Sequence, residues 1–160
     1  MDFLNILNAE MSAITLTLKL SLVTCIFLFF IGTPISLYLA FKKNKFIPIF
    51  ESIVTLPLVL PPTVIGFYLL VFFNPESILG KFFITITGEQ LAFSFSGLVF
   101  ASIFYSLPFW VQPLQNSFEK IDKKILEAGT NMGGSNLDLL LKIILPSCKR
   151  GFLTAFILSF

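Results

Sequence analysis

The side chains best suited to chemistry are few in this sequence, and three carboxylates lie close together at Glu119, Asp122 and Glu127. There is no histidine, which removes the commonest general base and metal ligand. Cys25 and Cys148 belong to no CxxC-type pattern, so neither a disulfide nor a metal site is predicted. A solvated helix face accounts for the carboxylates, and we expect no enzymatic activity.

The sequence also lacks a phosphate-binding loop. The pattern GxxxxGK[S/T] does not occur, and Gly80-Lys81 is followed by Phe82 instead of a hydroxyl residue. We therefore expect that this chain binds neither ATP nor another cofactor, and that any nucleotide-driven step belongs to another polypeptide.

Composition indicates the fold class. Of 160 residues, 56% are hydrophobic, 12% are charged and 21 are phenylalanine. A soluble fold of this length needs more polar surface than so few charged side chains can cover. The sequence therefore predicts an integral membrane protein, an all-α polytopic bundle of transmembrane helices.

Four apolar stretches are predicted as membrane spans, because a crossing helix needs about 20 mostly apolar residues. They cover 13–41, 52–73, 91–111 and 151–160, and the segment 112–150 is predicted to be cytoplasmic. The fourth stretch, as a helix, covers only roughly 15 Å, half of the hydrocarbon layer. We expect 1–160 to be a C-terminally truncated transmembrane domain, with at least one further span.

The basic residues predict the orientation, since they concentrate on the cytoplasmic side of membrane proteins. On the other side of the predicted spans only Lys81 occurs, so the N-terminus is predicted to lie outside. The residues on the predicted cytoplasmic side are Lys42, Lys43, Lys45, Lys120, Lys123, Lys124, Lys142, Lys149 and Arg150.

Prolines interrupt the second apolar stretch at Pro57, Pro61 and Pro62, followed by Thr63 and Gly66. A proline breaks or kinks a helix, which a membrane tolerates only against protein or a water-filled cavity. One interpretation is a span that becomes irregular beside a substrate path. The other is an interfacial helix that ends just before Pro61, where the true span begins. The pattern supports both equally.

No charged side chain lies near the middle of the first three spans, which argues against a proton- or ion-coupled carrier. A path through such a protein binds its cargo weakly, as a conduit must. The hydroxyl residues on it have an alternative role, which is to bond to helix backbone or to a neighbouring helix. The residues assigned to the path are Pro61, Pro62, Thr63, Gly66, Ser102 and Ser106.

The stretch Glu127–Pro146 is polar and glycine-rich, and it lies between apolar regions. Ser135 and Asp138 fit a capping box that begins a helix. Gly133 and Gly134 can end or bend the helix before it. The pattern predicts a helix, a tight turn and a second helix, with a bent, solvated loop as the alternative.

The spacing in this stretch resembles EAA-x3-G-x9-I-x-LP, the cytoplasmic signature of bacterial ABC importer permeases. Only the third position departs, with glycine in place of alanine. In that family the segment is the coupling helix, here 127–146, which docks into the ATP-binding subunit, and the proline is expected to end the helix before the fourth span. The resemblance assigns this coupling role to Glu127, Ala128, Gly129, Gly133, Ile143, Leu145 and Pro146.

The segments LPLVLPPTVIGFYLL and SGLVFASIFYSLPFWVQPLQNSFEKIDKKILEAG look like the permease of molybdate importers over nearly the whole chain. Sulfate permeases more often read LPTAVAG in the first of these. The resemblance implies a homodimer in the bacterial plasma (inner) membrane, with two ATP-binding subunits, an extracellular or periplasmic oxyanion-binding protein and no nucleic acid. Two alternatives remain. One is a permease for tungstate or sulfate, and the other is a membrane scaffold subunit that transports nothing.

Overall fold

The computed structural model describes residues 3–42 and 44–160, apart from the side chains of residues 3–9, 123 and 136. Regular structure in this part of the chain is entirely helical, which confirms the all-α class. Lys43, counted above for the orientation, lies outside the described residues. The helices are α1 (Phe3–Phe41), α2 (Ile47–Val59), α3 (Pro62–Phe73), α4 (Ile78–Thr87), α5 (Phe95–Glu119), α6 (Lys123–Asn131), α7 (Asn136–Leu139), a π-helical turn (Leu140–Ile144), α8 (Leu145–Ser147) and α9 (Lys149–Ser159).

Two of the described helices are long and apolar enough to cross a membrane by themselves. They are α1, from Glu10 to Phe41, and α5. The pair α2 and α3 makes a third crossing if it is counted as one broken span. The depth of each helix in the bilayer, and so the predicted span boundaries, stay a prediction.

The break between α2 and α3 lies at Leu60 and Pro61, and the two helices are bent by 107°. Pro61 has an extended ψ of 137°, as expected of a residue that precedes a proline, and Pro62 begins α3. The 12 residues of α3 cover only about 18 Å, too short for a complete crossing. The choice between the two interpretations of this segment stays a prediction.

Two local features differ from the sequence-based expectations. Helix α5 begins at Phe95, four residues after the predicted start of the third span, because Ser94 accepts a hydrogen bond from the Gly97 N–H at 3.1 Å. The segment before it contains α4, which the hydropathy pattern did not predict as a separate helix. Ser77 caps its first turn, and Gly88, with φ of +74°, ends it.

The chain divides into two compact units, and the first has a small apolar core. Ile65 of α3 is buried there, and Phe83 of α4 packs edge-to-face on Phe100 of α5, with ring centroids 6.3 Å apart. This arrangement holds the short helices that follow the proline break. The unit comprises Met1–Leu28, Leu56–Ser106 and Phe160.

The second unit, Phe29–Thr55 and Leu107–Ser159, has Trp110 at its centre. Trp110 is only 2% exposed and donates its indole N–H to the Thr33 hydroxyl at 3.3 Å. A Cβ at Gly32 would lie 2.5 Å from the indole, so glycine is required for this approach. Helix α5 therefore packs against the C-terminal part of α1 at Gly32 and Thr33.

Aromatic contacts in the same unit join the helices on either side of the segment 120–148. Phe118, near the end of α5, is fully buried, with its ring 6.4 Å from Phe41 and 6.2 Å from Phe152 of α9. A Cβ at Gly151 would lie 2.6 Å from Ser117 Cβ, so α9 begins in close contact with α5. Both ends of the segment are therefore held by one packed core.

Candidate functional site

The segment that carries the signature begins with a well-formed helix start. Asp122 caps α6 by accepting a hydrogen bond from the Lys124 N–H at 2.9 Å. The helix then runs from Lys123 to Asn131. Glu127 and Ala128 lie on its exposed surface.

Helix α6 ends in a glycine turn, as the Gly133-Gly134 pair predicts. Gly133 adopts a φ of +82°, a conformation that side chains other than glycine rarely take. Its N–H bonds to the Thr130 carbonyl at 2.9 Å, and the Gly134 N–H bonds to the Gly129 carbonyl at 3.1 Å. These two hydrogen bonds define a Schellman motif, which ends the helix and satisfies carbonyls at its last turn.

The predicted capping box is present directly after the turn. The Ser135 hydroxyl accepts a hydrogen bond from the Asp138 N–H at 3.2 Å, and the Asp138 carboxylate accepts one from the Ser135 N–H at 3.3 Å. Lys142, one turn later, forms an ion pair with Asp138 at 2.6 Å. Hydrogen bonds from Lys142 and Ser135 lower the pKa of Asp138 to about 2. The helix pair of α6 and α7 with the glycine turn between them is called the hairpin here, and its second helix begins with a capped first turn.

The helix after the turn widens into a π-helical turn, Leu140–Ile144, in which the Leu145 N–H bonds to the Leu140 carbonyl. The expectation that Pro146 ends this helix is wrong. Pro146 lies in the first turn of α8, and the helical path continues to Ser147. The wider turn accommodates a proline, which has no N–H to donate and which clashes with the carbonyl of a regular α-helix.

The seven residues assigned to coupling fall into two groups by their exposure. Gly129, Ile143 and Leu145 are half-buried inside the hairpin segment. The others are exposed, so they can contact a partner: Glu127, Ala128, Gly133 and Pro146. The signature thus contains both surface residues and residues that hold the hairpin together.

Three exposed apolar residues of the hairpin were missed by the sequence analysis. Met132 is 89% exposed, Leu137 68% and Leu141 61%. Apolar side chains this exposed on a polar segment are typical of a protein contact. Their position on either side of the glycine pair was a usable signal, since side chains at the tip of a hairpin point outward.

A buried glutamine precedes the hairpin and was also missed. Gln115 of α5 donates hydrogen bonds from its side-chain amide to Glu51 at 3.2 Å and to Glu119 at 3.0 Å. These residues line a cavity of about 620 Å³ in the second unit. The contact joins the start of α2 to the end of α5.

The residues assigned to a translocation path belong to the first unit. Gly66 is half-buried and lines a cavity of about 270 Å³ with mostly apolar residues. Pro61, Pro62 and Thr63 are exposed and do not line it. A common path therefore remains a hypothesis.

The hydroxyls assigned to the path differ in their hydrogen bonds from other hydroxyls of the described residues. Elsewhere, Ser36 and Thr85 bond to the carbonyl four residues earlier. Among the described residues, the hydroxyls of Thr63, Ser102 and Ser106 make no such bond to backbone or to a neighbour.

Residues 32–160 match the family described as the binding-protein-dependent transport system inner membrane component. The match includes the glycine turn, the capping box and the π turn of the hairpin. This chain belongs to that family, which confirms the resemblance deduced from the spacing. It is thus a component of the inner membrane.

The chain is similar to three curated relatives, of whose lengths it covers between 56% and 67%. It is 44% identical to the molybdenum transport system permease protein ModB of Azotobacter vinelandii, over 94% of this chain and 67% of the relative. It is 31% identical to ModB of Haemophilus influenzae, over 94% and 66%. It is 32% identical to the probable sulfate transport system permease protein cysT of Chlorella vulgaris, over 96% and 56%.

Proposed function

We propose that this chain is the membrane-spanning permease subunit of an ATP-driven importer that moves molybdate into the cytoplasm. The observation that carries the proposal is the hairpin of α6 and α7. The signature spacing coincides there with a bonded glycine turn, an exposed Glu127-Ala128 surface and exposed apolar side chains at the tip.

The hairpin is suited to transmit force because both of its ends are anchored in one core. We propose that it docks into an ATP-binding subunit through Glu127, Ala128 and Met132. When two such subunits close on ATP, the hairpins of two permease copies move with them. Through Phe118 and Phe152, which pack together, the motion reaches α5 and α9. Rigid-body transmission of this kind links distinct sites.

The substrate assignment rests on similarity to the molybdenum permeases. Their 44% and 31% identities, over 94% of this chain, support molybdate or the related tungstate ion. The 32% identity to a probable sulfate permease keeps sulfate as a test substrate. We propose that a separate extracellular binding protein supplies most of the selectivity, since the spans carry no central cation that would hold an anion.

The test is ATP-dependent uptake by the full-length permease, co-expressed with its ATP-binding subunits and reconstituted in proteoliposomes with the binding protein. Labelled molybdate is the substrate, and tungstate and sulfate are competitors. We expect molybdate uptake that tungstate inhibits at lower concentration than sulfate does. Stronger inhibition by sulfate would overturn the substrate assignment, and a complex without any ATPase subunit would favour a scaffold.

A pair of matched variants tests the role of the hairpin. Glu127→Ala is expected to lower uptake at least tenfold, because it removes an exposed contact to the ATPase. Glu76→Ala, which changes another exposed glutamate, outside the hairpin, should leave uptake unchanged. Equal uptake by both variants would contradict the coupling assignment.

The proposed orientation is tested by labelling intact cells with a membrane-impermeant maleimide. In a background without Cys25 and Cys148, a cysteine at position 76 should react, and a cysteine at position 124 should react only after lysis. The opposite pattern would place the hairpin outside, where no ATPase subunit can reach it.

A further inference from the structure

Leu139 occupies a position unlike that of its neighbours in the hairpin. Leu137 and Leu141 are 68% and 61% exposed, whereas Leu139 is only 8% exposed. Its side chain lies over the glycine turn, where a Cβ at Gly134 would be 3.8 Å from Leu139 Cδ2. Leu139 is therefore an apolar residue through which the second helix of the hairpin packs on the first.

Gly129 provides the space that Leu139 fills. A Cβ at Gly129 would overlap Leu139 Cδ2 and would lie 3.1 Å from Ile143 Cδ1. The Gly129 carbonyl also accepts the hydrogen bond from Gly134 that closes the turn. Position 129 is the one place where this chain departs from the alanine of the signature. The structure gives that departure a physical partner in the leucine ten residues later.

We propose that Leu139 is the positioning residue of the hairpin and that Leu139 and Gly129 form a size-matched pair. The pair sets the distance between α6, which carries the exposed Glu127-Ala128 surface, and the π turn that leads to α9. A displacement of α6 then moves Leu139 directly, because no empty space separates Leu139 from Gly129. The inference rests on the proposed function, because transport is its readout.

The experiment is a double-substitution cycle in the full-length permease, assembled with its ATP-binding subunits in proteoliposomes. Gly129→Ala should lower molybdate uptake per assembled complex by about fivefold or more, because it overfills the contact. Leu139→Val removes the Cδ atoms and should lower the number of anions moved per ATP hydrolysed. The variant with both substitutions should recover uptake to within about twofold of the unchanged protein.

The rescue separates positioning from general stability. Leu22→Val makes the same side-chain change at an exposed position of α1, and it should neither lower uptake by itself nor rescue Gly129→Ala. If Gly129→Ala prevents assembly, the amount of assembled complex becomes the readout, with rescue by Leu139→Val again expected. A double variant no better than Gly129→Ala alone would overturn the proposal, as would unchanged uptake in Gly129→Ala.

Failure of the proposed function has a different result. The unchanged complex would then show no ATP-dependent molybdate uptake at all. In that case the size-matched pair is judged by thermal unfolding of the purified permease, where Gly129→Ala should lower the Tm and Leu139→Val should restore it. Additive effects of the two substitutions on the Tm would overturn the pair.

Discussion

The helix breaks at Leu60-Pro61 and at Gly133-Gly134 are built on opposite principles. At Leu60-Pro61, the start of α3 has no side-chain cap, and the bend of 107° comes with tandem prolines. At Gly133-Gly134, two backbone hydrogen bonds and a capping box close the turn. The first break arises because proline cannot continue a helix. The second arises because glycine can adopt the left-handed backbone conformation, which hydrogen bonds then stabilise.

This difference predicts different responses to substitution. A proline break is insensitive to its neighbours, because no side chain restores the missing N–H groups. A glycine turn depends on every bond that holds it, so single changes should damage it. Pro146 is a third case, a single proline that a π turn accommodates inside a helical path. Force transmission by the hairpin is thus a proposal that substitutions at the two breaks can test.

The largest effect is expected at the glycine turn. Gly133→Val forces a β-branched residue to a φ of +82°, at a cost of about 1–2 kcal/mol or more. We expect at least a tenfold loss of ATP-dependent uptake in proteoliposomes. Gly133→Asn is the matched control, because asparagine tolerates this conformation, and it should retain most of the uptake. Equal loss in both variants would mean that the conformation of Gly133 is not what matters.

The next effect should come from removing the proline break. In Pro61→Ala/Pro62→Ala, the residues can continue the helix, and α2 and α3 should become straighter. Spin labels at positions 58 and 70 should move towards about 18 Å apart, the length of 12 helical residues. Pro113→Ala, inside α5, serves as the control for loss of a proline without loss of a break. An unchanged distance would show that packing, and not proline, makes the bend.

A smaller effect is expected at Pro146. Pro146→Ala removes the reason for the π turn, and Leu140–Ile144 should relax to α-helical hydrogen bonds. Hydrogen exchange should then slow at Ile144 and Leu145, while uptake falls by a few fold because the register of α9 is shifted. Exchange that stays as fast as in the unchanged protein would assign the π turn to Leu139 packing instead.

Removing the capping hydroxyl of α7 or of α4 should lower the stability of the protein by a similar amount, but only the first change should lower the transport function. Ser135→Ala and Ser77→Ala each remove a capping hydroxyl, and each should destabilise the protein by about 1 kcal/mol in thermal unfolding. Only Ser135→Ala should lower the ATPase activity that the transport complex shows with substrate. Equal activity of the two variants would separate the hairpin from coupling.

The smallest effect is the pH dependence at Asp138. Because the pKa of Asp138 is lowered to about 2, its charged carboxylate stabilises the hairpin at every pH above the ordinary pKa of an aspartate. That contribution is lost as the pH falls from about 4 through 2, and it is small because the ion pair is exposed. Asp138→Asn should flatten the dependence of the Tm on pH in this window. An unchanged slope would show that other carboxylates are responsible.

Local features of the hairpin could be predicted because their bonds join residues at most five apart. The Ser135–Asp138 capping box and the end of α6 at Gly133 follow rules of this range. The burial of Leu139, between the exposed Leu137 and Leu141, could not be predicted in the same way. It depends on which side of the helix faces the core, and a glycine-interrupted segment has no clear periodicity to show it. The helical path past Pro146 was not predicted either, because the rule that a proline ends a helix does not allow for a π turn.

The sequence by itself determined the class of this protein, the apolar stretches and the site of the signature, because hydrophobicity and backbone conformation act over short distances. Only the tertiary structure decided which residues pack together. Trp110 and Thr33 are 77 positions apart, and glycine at position 129 reads as a mild replacement until Leu139 is seen to fill its place. Such pairs are set by close packing in three dimensions, which a linear pattern of residue types does not record.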